Sequence, residues 1–147
     1  MALKILVIHG PNLNLLGKRE KDLYGDFTLE EIDRELEKFS MSLDVKIEFF
    51  QSNHEGWIVD KIQETEANGL LINPAAFTHT SVAIRDTLLA VKKPFIEVHL
   101  SNIFAREDFR RHSYFADLAI GVISGFGKEG YLYGLKELHK YLTKRNS

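Results

Sequence analysis

Glu97 and His99 stand two positions apart on an apolar run, Phe95–His99 (FIEVH), so a strand there puts both side chains on one side. A carboxylate so placed can orient the imidazole and raise its basicity, as general acid–base chemistry requires. Polar groups also gather where other apolar runs end. They are His9-Gly10-Pro11-Asn12, Gln51-Ser52-Asn53, Asn73-Pro74, His99-Leu100-Ser101-Asn102 and Ser124-Gly125. Arg106 and Arg110, four apart, share a face of an expected short helical turn over Arg106–Arg111. With Arg19, His79 and His99 they can form a pocket for a carboxylate or phosphate, although such a pair equally suits a solvated face. The six histidines (His9, His54, His79, His99, His112 and His139) show no H-x-x-x-H or H-E-x-x-H spacing, and cysteine is absent. A metal site needs several donors aimed at one point, so none is expected.

These groups need a scaffold that brings strand ends together. Lys4–Ile8, Val45–Gln51, Gly69–Ile72, Phe95–His99 and Leu118–Ile123 read as strands. Between them lie helical stripes. Thr28 opens one as a capping box with Glu31, followed by Leu29, Ile32, Leu36, Phe39 and Leu43 at helical spacing. Asn53 can cap a second, carrying Trp57, Ile58 and Ile62. A third runs from about Ser81 to Val91, and the last holds Tyr131, Leu135, Leu138 and Leu142 on one face. Strands without clean alternation are covered on both faces, hence parallel. The expected fold is α/β: a flavodoxin-like, doubly wound, five-stranded parallel sheet of order 2-1-3-4-5, forming one domain over residues 1–147. In such sheets ligands bind beyond the carboxyl ends of the strands, where the polar groups lie. From His9 to Asp26 no regular structure is expected, well beyond the ~2–6 residues usual for such a loop. Gly17 and Gly25 flank a charged segment and Tyr24 there, which suits a surface insertion or a lid closing over ligand.

Composition narrows the classes. The chain has 147 residues, 44% hydrophobic and 27% charged, with a net charge of −2. A core is available, and disorder is excluded. A pI near 6.3 excludes nucleic-acid binding through bulk positive charge. With no cysteine, disulfide scaffolds and thiol nucleophiles are excluded as well. No apolar run approaches the ~18 residues of a membrane span, and no signal-peptide layout is visible, so a cytoplasmic protein is expected.

Gly125-Phe126-Gly127-Lys128-Glu129-Gly130 is a literal G-x-G-x-x-G. Too little chain follows it for the further strand and ribose-binding acid of a dinucleotide site, so a tight turn is expected. A phosphoacceptor receiver would need paired acids after strand one, where this chain has His9-Gly10. A flavin-binding loop would be rich in hydroxyls, unlike Asn12-Leu13-Asn14-Leu15-Leu16-Gly17.

Together, several long motifs resemble the type II 3-dehydroquinate dehydratases of the shikimate pathway, which serves chorismate and aromatic amino acid biosynthesis. They are His9 to Arg19 (HGPNLNLLGKR), Tyr24-Gly25, Asn73 to Ser81 (NPAAFTHTS), Glu97 to Asn102 (EVHLSN), Ala105-Arg106-Glu107 and Phe109 to Ser113 (FRRHS). The resemblance runs from Ile5 to about Leu142. It implies a hydro-lyase performing trans elimination of water from 3-dehydroquinate through an enolate, giving 3-dehydroshikimate with no metal, imine or other cofactor. A proton α to a ketone is weakly acidic and needs a strong base. Tyrosine's reference pKa is about 10, and a nearby guanidinium favours a phenolate. The resemblance makes Tyr24 that base and Arg19 the cation beside it. Asn12 helps hold the enolate oxygen, and His99, supported by Glu97, protonates the departing hydroxyl. Asn73, His79, Leu100, Ser101 and Arg110 bind the substrate. It further implies trimers stacked into a dodecamer, with Asp86 reaching a neighbouring subunit's site. Ala75 and Ala76 stand where some members have glycine, which disfavours a positive φ there. On the residues alone, a non-enzymatic flavodoxin-like domain binding a nucleotide or small anion stays open.

Overall fold

The computed structural model describes residues 2–18 and 20–145. Five parallel strands form one sheet, in the order β2-β1-β3-β4-β5. They are β1 (Leu3–His9), β2 (Val45–Gln51), β3 (Gly69–Asn73), β4 (Phe95–His99) and β5 (Gly121–Ser124). The helices are α1 (Lys21–Tyr24), α2 (Leu29–Ser42), α3 (Glu55–Glu64), α4 (Val82–Val91) and α5 (Glu129–Arg145).

Strand periodicity divides the core into two layers. Ile5 and Val7 pack with Leu29, Ile32 and Leu36 of α2 and with Tyr131, Leu135, Leu138 and Leu142 of α5. Leu6 and Ile8 turn to the other face, against Ile58 and Ile62 of α3 and Ile84 and Leu88 of α4. All four strand residues are fully buried, as an apolar run without alternation requires. Helix starts follow their caps. The Thr28 hydroxyl accepts from Glu31 N at 3.2 Å, and the Ser81 hydroxyl from Ile84 N at 2.9 Å.

Four local expectations are corrected. β5 begins at Gly121, not Leu118, because Leu118 and Ala119 donate to the Phe115 carbonyl in a turn. Asn53 does not cap α3: the N-cap is His54, without a side-chain bond, and the Ser52 hydroxyl accepts from His54 N. The segment after β1 is not irregular throughout. It holds a 3-10 turn at Leu13–Leu15, with Leu13 and Leu16 anchored in the core, and then α1. Finally, Arg106 and Arg110 do not share a helix. Two separate 3-10 turns, Ile103–Ala105 and Asp108–Arg110, interrupt that segment, and Arg106 between them is extended.

Candidate active site at the strand ends

The carboxyl ends of β1, β3 and β4 meet at a cavity of about 110 Å³. Its walls include Asn12, Tyr24, Asn73, His79, His99, Leu100, Ser101, Arg106 and Arg110. Close backbone approach makes this possible. A Cβ on Gly10 would come within 2.3 Å of the Pro74 carbonyl oxygen, so glycine lets the turn after β1 lie against the end of β3. Asn12 takes a left-handed φ of 70°, and its backbone N–H donates to Asn53 Oδ1 at 2.9 Å. Gln51 Nε2 donates to the Gly10 carbonyl and to the same Asn53 oxygen. The end of β2 thus holds the turn that presents Asn12.

His99 faces the cavity and is held from below. Its Nε2 lies 2.5 Å from Glu97 Oε2, an oxygen that also accepts from the Thr78 hydroxyl at 2.7 Å. The Ser113 hydroxyl lies 2.9 Å from either Glu97 oxygen. Burial pushes the Glu97 carboxyl up, but the hydrogen bond and charge of His99, with the two hydroxyls, more than offset it and keep it below its ordinary value. An ionised Glu97 requires a proton on His99 Nε2, which leaves Nδ1 to the cavity.

His79 has the opposite polarity. Its Nδ1 donates to the His112 carbonyl at 2.8 Å, so in the neutral ring Nε2 is an acceptor. Burial pushes its pKa below the ordinary histidine value and favours that neutral form, although the His112 carbonyl bond pulls the other way. Asn73 is nearly fully buried, its Oδ1 accepting from Ala75 N at 3.0 Å. That bond supports Ala75 at φ 51°, so the alanine adopts the positive φ that its side chain disfavours. Leu100 accepts from Gly127 N at 2.9 Å through its carbonyl. Gly125 and Gly127 both have positive φ and donate to the carbonyls of His99 and Leu100, so the G-x-G-x-x-G segment is a turn locked to the end of β4.

Cations complete the wall. The Arg106 guanidinium lies over the Tyr24 ring, 5.4 Å from Cζ to centroid, and Nη1 reaches the Ser101 hydroxyl at 3.4 Å. Arg110 donates through Nε to Glu107 at 3.1 Å. Among the described residues Arg106 is thus a cation brought to Tyr24, and the resemblance places Arg19 beside the same phenol. Arg19 lies outside the described residues. Glu97 lies beneath the cavity rather than on its wall, and Asp86 is elsewhere, in a groove of about 1060 Å³ beside Arg85 and Tyr114. Among the described residues no cluster of three or more His, Cys, Asp or Glu side chains could hold a metal ion.

The profile of the family described as "Dehydroquinase class II" matches residues 3–139. A 3-dehydroquinate dehydratase of Francisella philomiragia is 57% identical over 141 residues, covering 96% of this chain and 97% of the relative. One from Francisella tularensis subsp. novicida is 55% identical with the same coverage. Among solved structures, the type II dehydroquinase of Butyrivibrio crossotus DSM 2876 superimposes with a TM-score of 0.91 at 45% identity, covering 93% of this chain and 97% of that one. That of Propionibacterium acnes gives 0.85 at 39%, covering 95% and 98%.

Proposed function

The chain belongs to the class II dehydroquinase family, and we propose that the cavity at its strand ends is where it converts 3-dehydroquinate to 3-dehydroshikimate, a lyase step of the shikimate pathway. One observation carries the assignment to this cavity: Tyr24 and His99 share its wall, a guanidinium against the phenol and a buried carboxylate against the imidazole. The reaction needs one base and one acid, and each group has the partner its task requires.

Tyr24 takes the proton α to the ketone, and the C–H electrons move to the carbonyl oxygen as an enolate. Arg106 supplies positive charge beside the phenol, and Arg19 is assigned there by family resemblance. Asn12 holds the enolate oxygen, directly or through water. As the enolate collapses, the hydroxyl β to the carbonyl departs with the proton from His99 Nδ1 and leaves as water. Glu97 stabilises the imidazolium that gives this proton. Asn73, His79, Leu100, Ser101 and Arg110 bind substrate: Arg110 by its charge on the carboxylate, His79 by accepting from a hydroxyl and Leu100 through its N–H. No step assigned to these residues calls for a cofactor.

Assembly belongs to the same reading. Trimers stacked into a dodecamer would cover the groove around Asp86, whose walls include Val82, Phe104, Phe126 and Tyr133, all at least half exposed. Arg85 in that groove is already paired with Asp117 at 2.6 and 2.9 Å, so Asp86 can serve a neighbouring chain's site. The reading is completed by one catalytic domain over 1–147 and a cytoplasmic location. No described helix is long and apolar enough to cross a membrane.

The test mixes the purified chain with 3-dehydroquinate and follows the ultraviolet absorbance of the conjugated enone. Absorbance should rise, at an unchanged rate in EDTA. No product, together with a retained nucleotide or flavin, would instead support a non-enzymatic binding domain.

A further inference from the structure

Four polar side chains form a line running from the cavity through the core to the part-buried Asp33. Asn73 Nδ2 donates to the Tyr131 hydroxyl at 3.0 Å, that oxygen lies 3.0 Å from His9 Nδ1, and His9 Nε2 lies 2.7 Å from Asp33 Oδ1. Tyr131 and His9 are fully buried, Asn73 is nearly so, and Tyr131, His9 and Asp33 lie off the cavity wall.

Every proton in this line follows from one backbone group. Ala75 N–H needs an acceptor and finds Asn73 Oδ1 at 3.0 Å, so the amide cannot be turned over without setting two donors face to face. Nδ2 therefore meets Tyr131, and the phenol oxygen accepts. Its own proton then needs a buried acceptor, and His9 Nδ1 is the one within reach. A proton on Nδ1 would leave the phenol hydrogen stranded, a costly state in a dry interior. His9 therefore carries its proton on Nε2 and donates it to Asp33, whose carboxylate accepts. Burial also pushes the Tyr131 pKa up, which keeps the hydroxyl protonated and able to donate.

We propose that Tyr131, fixed by His9 and Asp33, is a positioning residue that holds the Asn73 amide so that one N–H is reserved for a substrate oxygen. With Oδ1 turned to Ala75 and the other N–H committed to Tyr131, Asn73 presents its remaining N–H to the ligand. His79 is fixed in the reverse sense, so the cavity discriminates acceptor from donor at two walls. The inference takes its substrate from the dehydratase reading but rests on a separate hydrogen-bond geometry.

Two measurements test it. Nitrogen-15 correlation spectra of histidine-labelled wild-type protein, with no substrate present, should show His9 protonated on Nε2 and bare on Nδ1. A proton on Nδ1 overturns the proposal, whatever the enzyme turns over. Tyr131→Phe should raise KM about three- to tenfold, the weight of one neutral hydrogen bond, with kcat little changed. In an Asn73→Ala background the same substitution should leave KM unaltered, because the group it acts through is gone. Equal effects of Tyr131→Phe in the two backgrounds would show a general structural role and overturn the proposal. Should Tyr131→Phe fail to fold, His9→Phe enters the same cycle with the same two outcomes. Failure of the dehydratase reading would show separately, as no turnover by the unaltered chain.

Discussion

Arg106 packs its guanidinium against the ring of Tyr24 and turns one N–H to the Ser101 hydroxyl, so a single side chain ties α1 to the end of β4. The ring contact does not involve the phenol oxygen. Tyr24→Phe should therefore keep the packing and lose the base. Turnover should fall by about 10²–10⁴-fold while far-ultraviolet circular dichroism stays unchanged. Near-normal turnover by Tyr24→Phe would assign the proton transfer to another group.

Glu97 links catalysis to acid stability. Its carboxyl sits below the ordinary 4.5 in the folded chain, so its stabilising contribution is complete above that pH and is lost as pH falls through the lower folded value. Urea unfolding of wild type and Glu97→Gln across a pH series should show the widest stability gap near neutrality. The gap should narrow below about 4.5. A gap independent of pH would mean that folding does not lower the Glu97 pKa, and a gap that widens in acid would mean that the carboxyl is neutral in the fold.

Ala75 offers a gain. A side chain at φ 51° carries strain that glycine lacks, roughly 1–2 kcal/mol, part of which glycine's greater chain entropy offsets. Ala75→Gly should raise Tm by up to about 2–4 °C and leave KM unchanged, since the Asn73 turn bond uses the backbone. A fall in Tm on calorimetry would show that entropy outweighs the strain.

Asp86 tests the shared site. Asp86→Ala should raise KM or lower turnover with secondary structure intact. Subunit exchange with Tyr24→Phe chains should restore part of the activity, because a mixed assembly can pair an intact lid with an intact Asp86. Mixed assemblies that stay inactive despite demonstrated exchange, or a monomer at full rate, would confine the site to one chain.

What the sequence revealed and what it concealed follow a physical line. Buried strands such as Ile5–Ile8, the Thr28 cap and the Glu97–His99 pair are written in local periodicity, because period two or a cap spacing fixes the geometry at once. The grip of Asn53 on Asn12 and the bond from Asn73 to Tyr131 join positions far apart in the chain, which no local pattern encodes. Arg106 was visible as a cation, but its place over Tyr24 depends on two 3-10 turns that broke the assumed helix. Sequence places the start of β5 at Leu118 because Leu118–Ile120 is as apolar as a strand, while its backbone is spent on the turn at Phe115 and a single bond from Ile120 to Phe95.

The place of β1 inside the sheet, between β2 and β3, has a cost during synthesis. His9 faces Gln51 on one side and Asn73 on the other, and no neighbouring strands are joined by a hairpin. β1, continuously apolar from Ile5 to Ile8, is therefore synthesised before either of its partners. It stays unpaired until β2 and then β3 follow, and each pairing closes a long loop, which slows folding. The nascent chain is thus most prone to aggregate early, before α3 and α4 exist to cover Leu6 and Ile8.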